Sequence, residues 1–531
     1  MGTMRRRGEE SVGRKLLDFM QRTNPSRCLL PTANRQPPAI IRPVTTSRHL
    51  SIFLCLLLAC APLLTSCITP HGTPNLERIF AEARNRTGKR PLIVIPGVLG
   101  SQLVNYETGE VVWPSAFRSS DDGLSLPVSP DLASNKDNLV ARKIVDTARL
   151  AKLAPEVYVY HELLVALTKY GGYKEGDWNN PGADGDHDTF YVFPYDWRRD
   201  NVETARDLVE RVETLKRKLN RPDLRFNILA HSMGGLIARY AAMYGDADLP
   251  NEGVQPKPSW AGAAHISKIV MFGTPNEGSA DAFATLLDGY SVTEGLRRRI
   301  PLLNKLSSED IFTAPSVFQL LPHRSATRFL DENLQPVEID IYDPAVWRRY
   351  GWSPVTDADY RQRFVKGRTR GDNAPFRGGS LEELDAYFAL VLNRARRFHE
   401  ALDAMVEDSP VQLFAFGGDC EDTLAAPVLL FNQKNQRWET LMRPRAFHTS
   451  TGRRISLKEA AEAMSAPGDG RVTRRSLLGE DLAGSRRSDA LFGTTLPIIY
   501  AVFACDLHGE LQNNKTLQDN ALTALVNEVM R

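Results

Sequence analysis

The chain has 531 residues, of which 42% are apolar and 24% are charged. This composition is typical of a globular protein and excludes fibrous and intrinsically disordered classes. The formal net charge of +2 depends on the N-terminus, because residues 1–49 hold ten Lys or Arg against three acidic side chains. Without residues 1–66 the net charge is −5, which leaves no basic surplus for a nucleic-acid partner.

The basic N-terminal region leads into an uncharged apolar run at residues 50–64. Its 15 residues are few for a bilayer span but fit the apolar region of a secretory signal. The sequence Leu-Thr-Ser-Cys then ends at Cys67 and resembles a bacterial lipoprotein signal, in which the Cys is lipidated. We therefore predict a signal peptide at residues 1–66, lipidation of Cys67 and anchoring in the bacterial envelope, at the outer membrane or periplasmic face.

The sequence disfavours two other interpretations of the N-terminus. An uncleaved membrane anchor is disfavoured because the apolar run is short and ends in small residues before Cys67. A basic nucleic-acid arm is disfavoured because the basic residues lead straight into an apolar segment. The long basic segment also leaves a downstream start such as Met20 open, and Cys60 marks a second, weaker cleavage site.

Cysteine usage agrees with export. Four of the six cysteines lie in or at the end of the signal region, namely Cys28, Cys55, Cys60 and Cys67. Only Cys420 and Cys505 remain in the body of the chain. In an oxidising compartment such a pair can form a disulfide, and two buried free thiols are an equally weighted alternative. Neither cysteine has the spacing of a metal site.

The first elements of the body follow in chain order. Residues 67–90 are interpreted as a linker with a lead-in helix at 75–86. The compact apolar run at 91–97 (PLIVIPG) ends in Pro-Gly and predicts a buried strand and a tight turn. A second strand is predicted at 189–193, and an amphipathic helix at 202–219 follows from apolar residues spaced three and four apart, with Asp200 or Asn201 as its cap.

The rest of the chain continues to alternate strands and helices. Further strands are predicted at 225–229, 266–272, 411–416 and 496–503, and further helices at 236–244 and 381–405. This alternation predicts an α/β fold with a mostly parallel central sheet and helices on both faces. The first part of the core spans 91–278 with a loop-rich insertion at about 105–188, a cap or lid insertion spans 279–410, and the second part of the core spans 411–531.

The residues Ala-His-Ser-Met-Gly at 230–234 lie between a predicted strand and a predicted helix. A nucleophilic serine can stand at the apex of such a turn if its neighbours are small enough for the turn to close against the sheet. Ser232 is therefore the predicted nucleophile, with Ala230 in place of the more usual first glycine. The alternative is an ordinary structural turn. His231 is interpreted as a packing residue because its side chain is expected to point away from that of Ser232.

A serine hydroxyl needs a base to become a nucleophile. In enzymes whose nucleophilic serine stands at such a strand-to-helix turn, an acid and then a histidine follow it along the chain. His508 follows the last predicted strand and is the predicted base, with His448 as the second choice. Asp469 lies between two glycines, 39 residues earlier, and is the predicted acid that holds the imidazole. An ordinary Asp-Gly turn is the alternative for Asp469, and Asp419 and Asp422 are the fallback acids.

Two backbone N–H groups are needed to stabilise the oxyanion of an acyl-transfer reaction. The first is expected from Met233, which follows the nucleophile, and the second from Val98 in the loop after the first strand.

Six segments together resemble the lecithin:cholesterol acyltransferase family. They are residues 91–103 (PLIVIPGVLGSQL), 194–198 (PYDWR), 230–235 (AHSMGG), 273–279 (GTPNEGS), 315–322 (PSVFQLLP) and 468–472 (GDGRV). The resemblance implies an α/β-hydrolase fold with a cap or lid, and attack on fatty-acyl esters of phospholipids or neutral lipids with transfer to water or a sterol. By motif it assigns the same nucleophile, acid, base and oxyanion donors, while residues 105–190 match no motif of the family.

The sequence therefore predicts a serine hydrolase or acyltransferase acting on lipid acyl esters at a membrane surface, without a metal or organic cofactor and without a nucleic-acid partner. An esterase for non-lipid esters and a non-catalytic envelope lipoprotein with this fold are the two alternatives. Within the PYDWR segment, Asp196 and Arg198 are expected to pair near the sheet edge while Trp197 packs.

Overall fold

The computed structural model describes residues 73–114, 123–149, 156–291, 305–324, 327–367, 379–404, 409–480, 496–527 and 530. The predicted signal peptide at residues 1–66 and the predicted lipidation site Cys67 lie outside the described residues. No helix within the described ranges is long and apolar enough to cross a membrane.

A seven-stranded sheet forms the centre of the protein. Its strands are β1 (Leu92–Ile95), β2 (Lys174–Glu175), β3 (Thr189–Val192), β4 (Phe226–His231), β5 (Ile266–Phe272), β6 (Gln412–Gly418) and β7 (Ile498–Ala504). They lie side by side in the order β7-β6-β5-β4-β1-β3-β2, and each neighbouring pair is parallel. The predicted α/β class and parallel sheet are confirmed.

The inner strands of the sheet are largely buried, as is typical of a parallel sheet that helices cover on both faces, whereas the edge strands β2 and β7 are partly exposed. In β1, Leu92 and Val94 pack into one hydrophobic core, whereas Ile93 and Ile95 pack into another. Successive side chains of a strand point to opposite faces, so an uninterrupted apolar run fills the cores on both sides of the sheet.

The longer helices are α1 (Asn201–Lys218), α2 (Met233–Tyr244), α3 (Ala280–Asp288), α4 (Leu381–Leu402) and α5 (Lys515–Val526). Apolar residues of α1 to α4 belong to one core, and those of α5 belong to the other, so helices cover both faces. Helix α1 begins where predicted, because Asp200 Oδ1 accepts hydrogen bonds from the N–H groups of Val202 and Glu203.

Shorter elements connect these parts before β5. They are the helices Leu76–Ile79 and His161–Val165, a π-helical turn at Ala166–Tyr170, 3₁₀ turns at Ala83–Asn85, Leu132–Ser134 and Ala261–Ala264, and the strands Ser101–Asn105, Val111–Trp113, Leu139–Ile144, Thr147–Arg149 and Glu156–Tyr158. The predicted lead-in helix at 75–86 is thus two separate turns. Only Leu76, Phe80 and Ala83 of this stretch are buried hydrophobic residues, so a longer helix would gain little packing.

After β5 the connections are helical and then β-rich. The helices are Ser308–Phe312, Pro315–Phe318, Pro344–Tyr350, Ala358–Lys366, Leu457–Met464 and Arg474–Leu478, with 3₁₀ turns at Pro354–Thr356 and Leu511–Asn513. Small sheets pair Tyr290–Ser291 with Lys305–Leu306, Glu421–Leu424 with Ser465–Gly468, and Phe447–His448 with Arg454–Ile455, and a four-stranded sheet joins Phe329–Leu330, Pro336–Val337, Val428–Asn432 and Arg437–Leu441. The turn that carries Asp469 therefore follows the antiparallel strands Glu421–Leu424 and Ser465–Gly468, and not the central strand β6 directly.

A buried ionic cluster stabilises the loop after β3. The guanidinium of Arg198 donates to both carboxylate oxygens of Asp137, at 2.6 and 2.8 Å, and to both oxygens of Asp196, at 2.9 and 2.7 Å. Trp197 between them is buried and meets Trp113 edge to face. The expected pairing of Asp196 with Arg198 is present, and Asp137 adds a second carboxylate from a distant part of the chain.

Replacing Arg198 by Met is expected to lower the free energy of unfolding by about 3–5 kcal/mol, because two nearly buried carboxylates lose their counter-charge. Urea denaturation measures the loss. Lys174→Met is the matched control: it breaks the exposed pair with Asp184 and should change stability by no more than about 0.5 kcal/mol. Equal effects of the two substitutions would contradict a stabilising role for the buried cluster.

Candidate active site

Ser232 stands at a sharp turn between β4 and α2. Its backbone has φ 53° and ψ −125°, a strained conformation for a residue with a side chain. The turn is fixed on both sides, because the Ser232 N–H donates to Phe272 O at 2.7 Å and the Ser232 carbonyl accepts from the Gly235 N–H at 3.0 Å. The strand, turn and helix are the context predicted for a nucleophile elbow.

Two glycines after Ser232 allow the turn to close. A Cβ on Gly234 would lie 2.6 Å from the Pro96 carbonyl oxygen, and one on Gly235 would lie 2.0 Å from Thr274 Oγ1. Both distances are below any normal contact, so these positions require glycine for close packing of α2. Ala230, in contrast, is fully buried within β4 with its methyl group accommodated.

The structure brings Ser232, Asp469 and His508 together in one hydrogen-bonded row. His508 Nε2 lies 2.9 Å from Ser232 Oγ, and His508 Nδ1 lies 2.8 Å from Asp469 Oδ2. All three residues are buried, with 5% of Ser232 and 7% of His508 exposed. Because an ionised carboxylate can only accept, His508 Nδ1 carries the proton and Nε2 offers its lone pair to the serine hydroxyl.

The Asp469 turn holds its own carboxylate in place. Asp469 Oδ1 accepts from the N–H groups of Arg471 and Val472, at 3.0 and 2.7 Å, which leaves Oδ2 for the histidine. The Asp469 carbonyl also accepts the His508 N–H at 2.8 Å, so the two loops are tethered twice. Neither fallback acid, Asp419 or Asp422, bonds to His508 among the described contacts.

The other histidines occupy different places. His448, the second choice as base, is exposed on the Phe447–His448 strand and pairs there with Arg454. His323 contacts Asp403, and His265 lies beside Lys216. None of these side chains joins the row around Ser232 in the described part of the chain.

A disulfide joins the ends of two neighbouring strands beside this row. Cys420 and Cys505 are bonded to each other, just after β6 and β7 respectively. Of the two alternatives left open by the sequence, the structure thus has the bonded pair. Glu421 lies close enough to both sulfurs to suggest a metal site, but disulfide sulfurs offer no thiolate ligand.

The loop after β1 makes a tight turn against Ser232. The Gly100 N–H donates to the Gly97 carbonyl at 3.0 Å, and Leu99 has a φ of 63°, as expected at the third position of a type II turn. A Cβ on Gly97 would lie 2.8 Å from Ser232 Cβ. Glycine at this position therefore lets the loop approach the serine closely.

Most backbone polar groups of this loop have partners. Tyr195 Oη donates to the Pro96 carbonyl at 2.9 Å, Trp113 Nε1 donates to the Leu99 carbonyl at 2.8 Å, and the Val145 N–H donates to the Gly100 carbonyl at 2.9 Å. Within the described residues the Val98 N–H has no hydrogen-bond partner. Met233 is the first residue of α2, and the N–H groups of a first helical turn have no acceptor within their own helix. The two predicted oxyanion donors are therefore unoccupied N–H groups on adjoining turns.

The sequence did not indicate two polar residues in this region. Tyr160 Oη lies 2.8 Å from the Gly97 nitrogen and 2.8 Å from His231 Nδ1, and His231 Nε2 lies 3.1 Å from the His508 carbonyl oxygen. The interpretation of His231 as a packing residue was therefore incomplete, because both of its ring nitrogens are hydrogen-bonded. Tyr160 belongs to a stretch without a family motif, so only the fold places it here.

Comparisons with known proteins agree with this architecture. The family model described as lecithin:cholesterol acyltransferase matches residues 143–353, which confirms the resemblance and extends it into a region without a recognised motif. The match supports a lipid ester hydrolase or acyltransferase. No curated protein sequence matches the chain.

Solved structures show similar folds at low sequence identity. The Tle4-Tli4 complex has a TM-score of 0.51 at 15% identity, covering 83% of this chain and 99% of that chain. The mature lipase BlEst2 of Bacillus licheniformis has a TM-score of 0.29 at 11% identity, covering 83% and 92%, and EstA from Clostridium botulinum has 0.28 at 12%, covering 85% and 91%. The parallel central sheet with helices on both faces, and Ser232 at a sharp turn from a strand into a helix, are the arrangement of the α/β-hydrolase fold.

Replacing Cys420 and Cys505 together by Ser is expected to lower the free energy of unfolding by roughly 4–5 kcal/mol, because the bond closes a long loop with a sequence separation of 85 residues. Thermal unfolding and ester hydrolysis are measured in parallel, with reduced wild-type protein as the control. An unchanged melting temperature in both samples would contradict a stabilising role for the bond.

Proposed function

We propose that this protein is a serine acyl hydrolase or acyltransferase that acts on fatty-acyl esters of lipids. The observation that carries the proposal is the row from Ser232 through His508 to Asp469, next to the N–H groups of Val98 and Met233, which have no hydrogen-bond partner among the residues that the structure describes. Bringing these groups together from four separate segments of the chain is difficult to reconcile with a purely structural role for the site.

The proposed reaction has two steps. His508 Nε2 takes the hydroxyl proton of Ser232 while Oγ attacks the ester carbonyl, and the imidazolium that forms is stabilised by Asp469. The oxyanion of the tetrahedral intermediate is held by the N–H groups of Val98 and Met233. His508 then gives the proton to the leaving alkoxide, which departs as an alcohol and leaves an acyl group on Ser232.

In the second step an acceptor hydroxyl takes the place of the alcohol. His508 removes the proton of water or of an acceptor alcohol, whose oxygen attacks the acyl-serine carbonyl, and the proton returns to Ser232 as the ester bond to the enzyme breaks. Water gives a free fatty acid, and an alcohol gives a new ester. No cofactor takes part in this scheme.

The choice of lipid substrates is supported by the family match at residues 143–353. We further propose that the enzyme is exported and held at the membrane of its substrate through lipidation at Cys67. One acyl chain provides only marginal membrane binding, so stable anchoring would need the several chains of a lipoprotein anchor.

Replacing Ser232 by Ala is expected to abolish release of fatty acid from mixed micelles of phospholipid and long-chain ester, and Asp469→Asn should lower kcat by about 10⁴-fold. Ser259→Ala, at the turn that precedes Ala261–Ala264, is the matched control and should retain wild-type activity. Cleavage of short soluble esters alone would favour the non-lipid esterase. Full activity of Ser232→Ala would contradict the proposed nucleophile, and inactivity of the wild type on every ester would favour the non-catalytic lipoprotein.

Replacing Val98 by Pro tests the second oxyanion donor. Proline is favoured at the second position of a type II turn, so the substitution removes the N–H group while the turn is retained. We expect kcat to fall by about 10²- to 10³-fold with a nearly unchanged KM. Val98→Ala keeps the N–H and serves as the control. An active Val98→Pro enzyme would rule out this donor.

A further inference from the structure

A buried hydrogen-bonded network lies beside the catalytic row and takes no part in the mechanism above. Tyr160, at the start of the His161–Val165 helix, and His231, at the end of β4, are both buried. Their rings meet edge to face, with centroids 5.7 Å apart. The network runs from Gly97 through these two side chains to the backbone of His508.

The direction of each hydrogen bond follows from the chemistry of its ends. The Gly97 N–H can only donate, so Tyr160 Oη accepts from it. The His508 carbonyl can only accept, so His231 Nε2 carries a proton. Burial and the neighbouring His508 lower the pKa of His231 to about 3, so its ring is neutral and Nδ1 is an acceptor.

Tyr160 therefore donates its proton to His231 Nδ1. Burial raises the pKa of the Tyr160 hydroxyl, so this proton is retained over the working range of an enzyme. The Gly97 N–H therefore donates to Tyr160, the Tyr160 hydroxyl donates to His231, and the His231 Nε2–H donates to the His508 carbonyl. Each group uses its donor once, and reversing the one bond that could run either way, between Tyr160 and His231, would leave the buried Tyr160 hydroxyl without an acceptor and the His508 carbonyl without its donor.

This hydrogen-bonded network joins the three segments whose relative positions set the geometry of the proposed reaction. Gly97 precedes the oxyanion donor Val98, His231 precedes the nucleophile Ser232, and His508 is the base. The Gly97–Val98 peptide is held at its carbonyl by Gly100 and at the preceding N–H by Tyr160, so the direction of the Val98 N–H is fixed. A shift of one segment is passed on to the other two.

We infer that Tyr160 and His231 are positioning residues that align the loop after β1, which carries Val98, with Ser232 and His508. The inference rests on the proposed function, since it concerns the same reaction. Neither side chain takes a step in that reaction; they act through Val98, Ser232 and His508. Displacement of reacting groups by about 1 Å can cost about 10²-fold in rate, so loss of the network should be seen in the chemical step.

Tyr160→Phe removes one hydroxyl and keeps the ring. We expect kcat for ester hydrolysis, and the rate at which an alkyl fluorophosphonate labels Ser232, to fall by about 10- to 100-fold with KM within about twofold. The phosphonyl oxygen occupies the oxyanion position, so labelling reports on the alignment directly. Tyr191→Phe is the matched control, because it removes a buried hydroxyl that donates to Gly185 O, and its labelling rate should equal that of wild type.

His231→Asn tests the other half of the network. Its amide can still face Tyr160 but is too short to reach the His508 carbonyl. We expect slower labelling of Ser232 for this variant as well. In the double variant Tyr160→Phe, His231→Asn the labelling rate should fall by less than the product of the two single effects, because both substitutions interrupt the same hydrogen-bonded network. Equal melting temperatures for Tyr160→Phe and Tyr191→Phe would separate alignment from stability.

The outcomes separate the two proposals. Labelling of Tyr160→Phe at the wild-type rate would overturn the positioning role and leave the proposed function standing, as would a raised KM with unchanged kcat. Effects that simply multiply in the double variant would overturn the idea of a single network. If wild-type protein is not labelled at Ser232, the proposed function is wrong and the inference is overturned with it.

Discussion

The backbone turn at Ser232 is the constraint on which the rest of the site depends. A φ of 53° is an unfavourable backbone conformation for a residue with a side chain, and it persists only where the surrounding structure holds it. The hydrogen bonds of the Ser232 backbone with Phe272 and Gly235 hold it in this conformation. The same sharp turn brings the start of α2 so close to β1 that Gly234 has no room for a side chain. The strain is therefore supported by the packing of the sheet, and the hydroxyl is presented at its carboxyl edge.

The other loops of the candidate site reach Ser232 because the sheet is parallel. Strands β1, β4, β6 and β7 all end at the same edge, so the loop after β1, the turn at Ser232 and the loop that carries His508 meet there although they are far apart in sequence. Asp469 reaches the same edge by another route. The antiparallel pair Glu421–Leu424 and Ser465–Gly468 returns the chain from its excursion, and the disulfide between Cys420 and Cys505 fixes that pair beside β7.

Local patterns in the sequence were sufficient for six of the seven central strands, for α1 and α2, and for choosing Ser232, Asp469 and His508, which the structure brings together, whereas β2 and the strands of the small sheets were not predicted. Apolar runs and helical spacing are short-range signals, and a small-x-Ser-x-Gly turn between a strand and a helix is itself local. Tyr160 could not be found this way, because its role depends on contacts with Gly97 and His231, 63 and 71 residues away along the chain. Asp137 was missed for the same reason: nothing near it in sequence indicates a partner such as Arg198.

The family match covers only part of the candidate site. Residues 143–353 include Tyr160, His231 and Ser232, but not Val98, Asp469 or His508. The similarity thus covers the proposed nucleophile and the network that we propose to align it, whereas the proposed acid, base and one proposed oxyanion donor lie outside the match and are joined to them by hydrogen bonds and packing. Because His231 contacts the His508 backbone and Tyr160 contacts Gly97, the network bridges the matched segment and the segments on either side of it. Its hydrogen bonds are therefore a physical reason for these three parts of the chain to keep one arrangement.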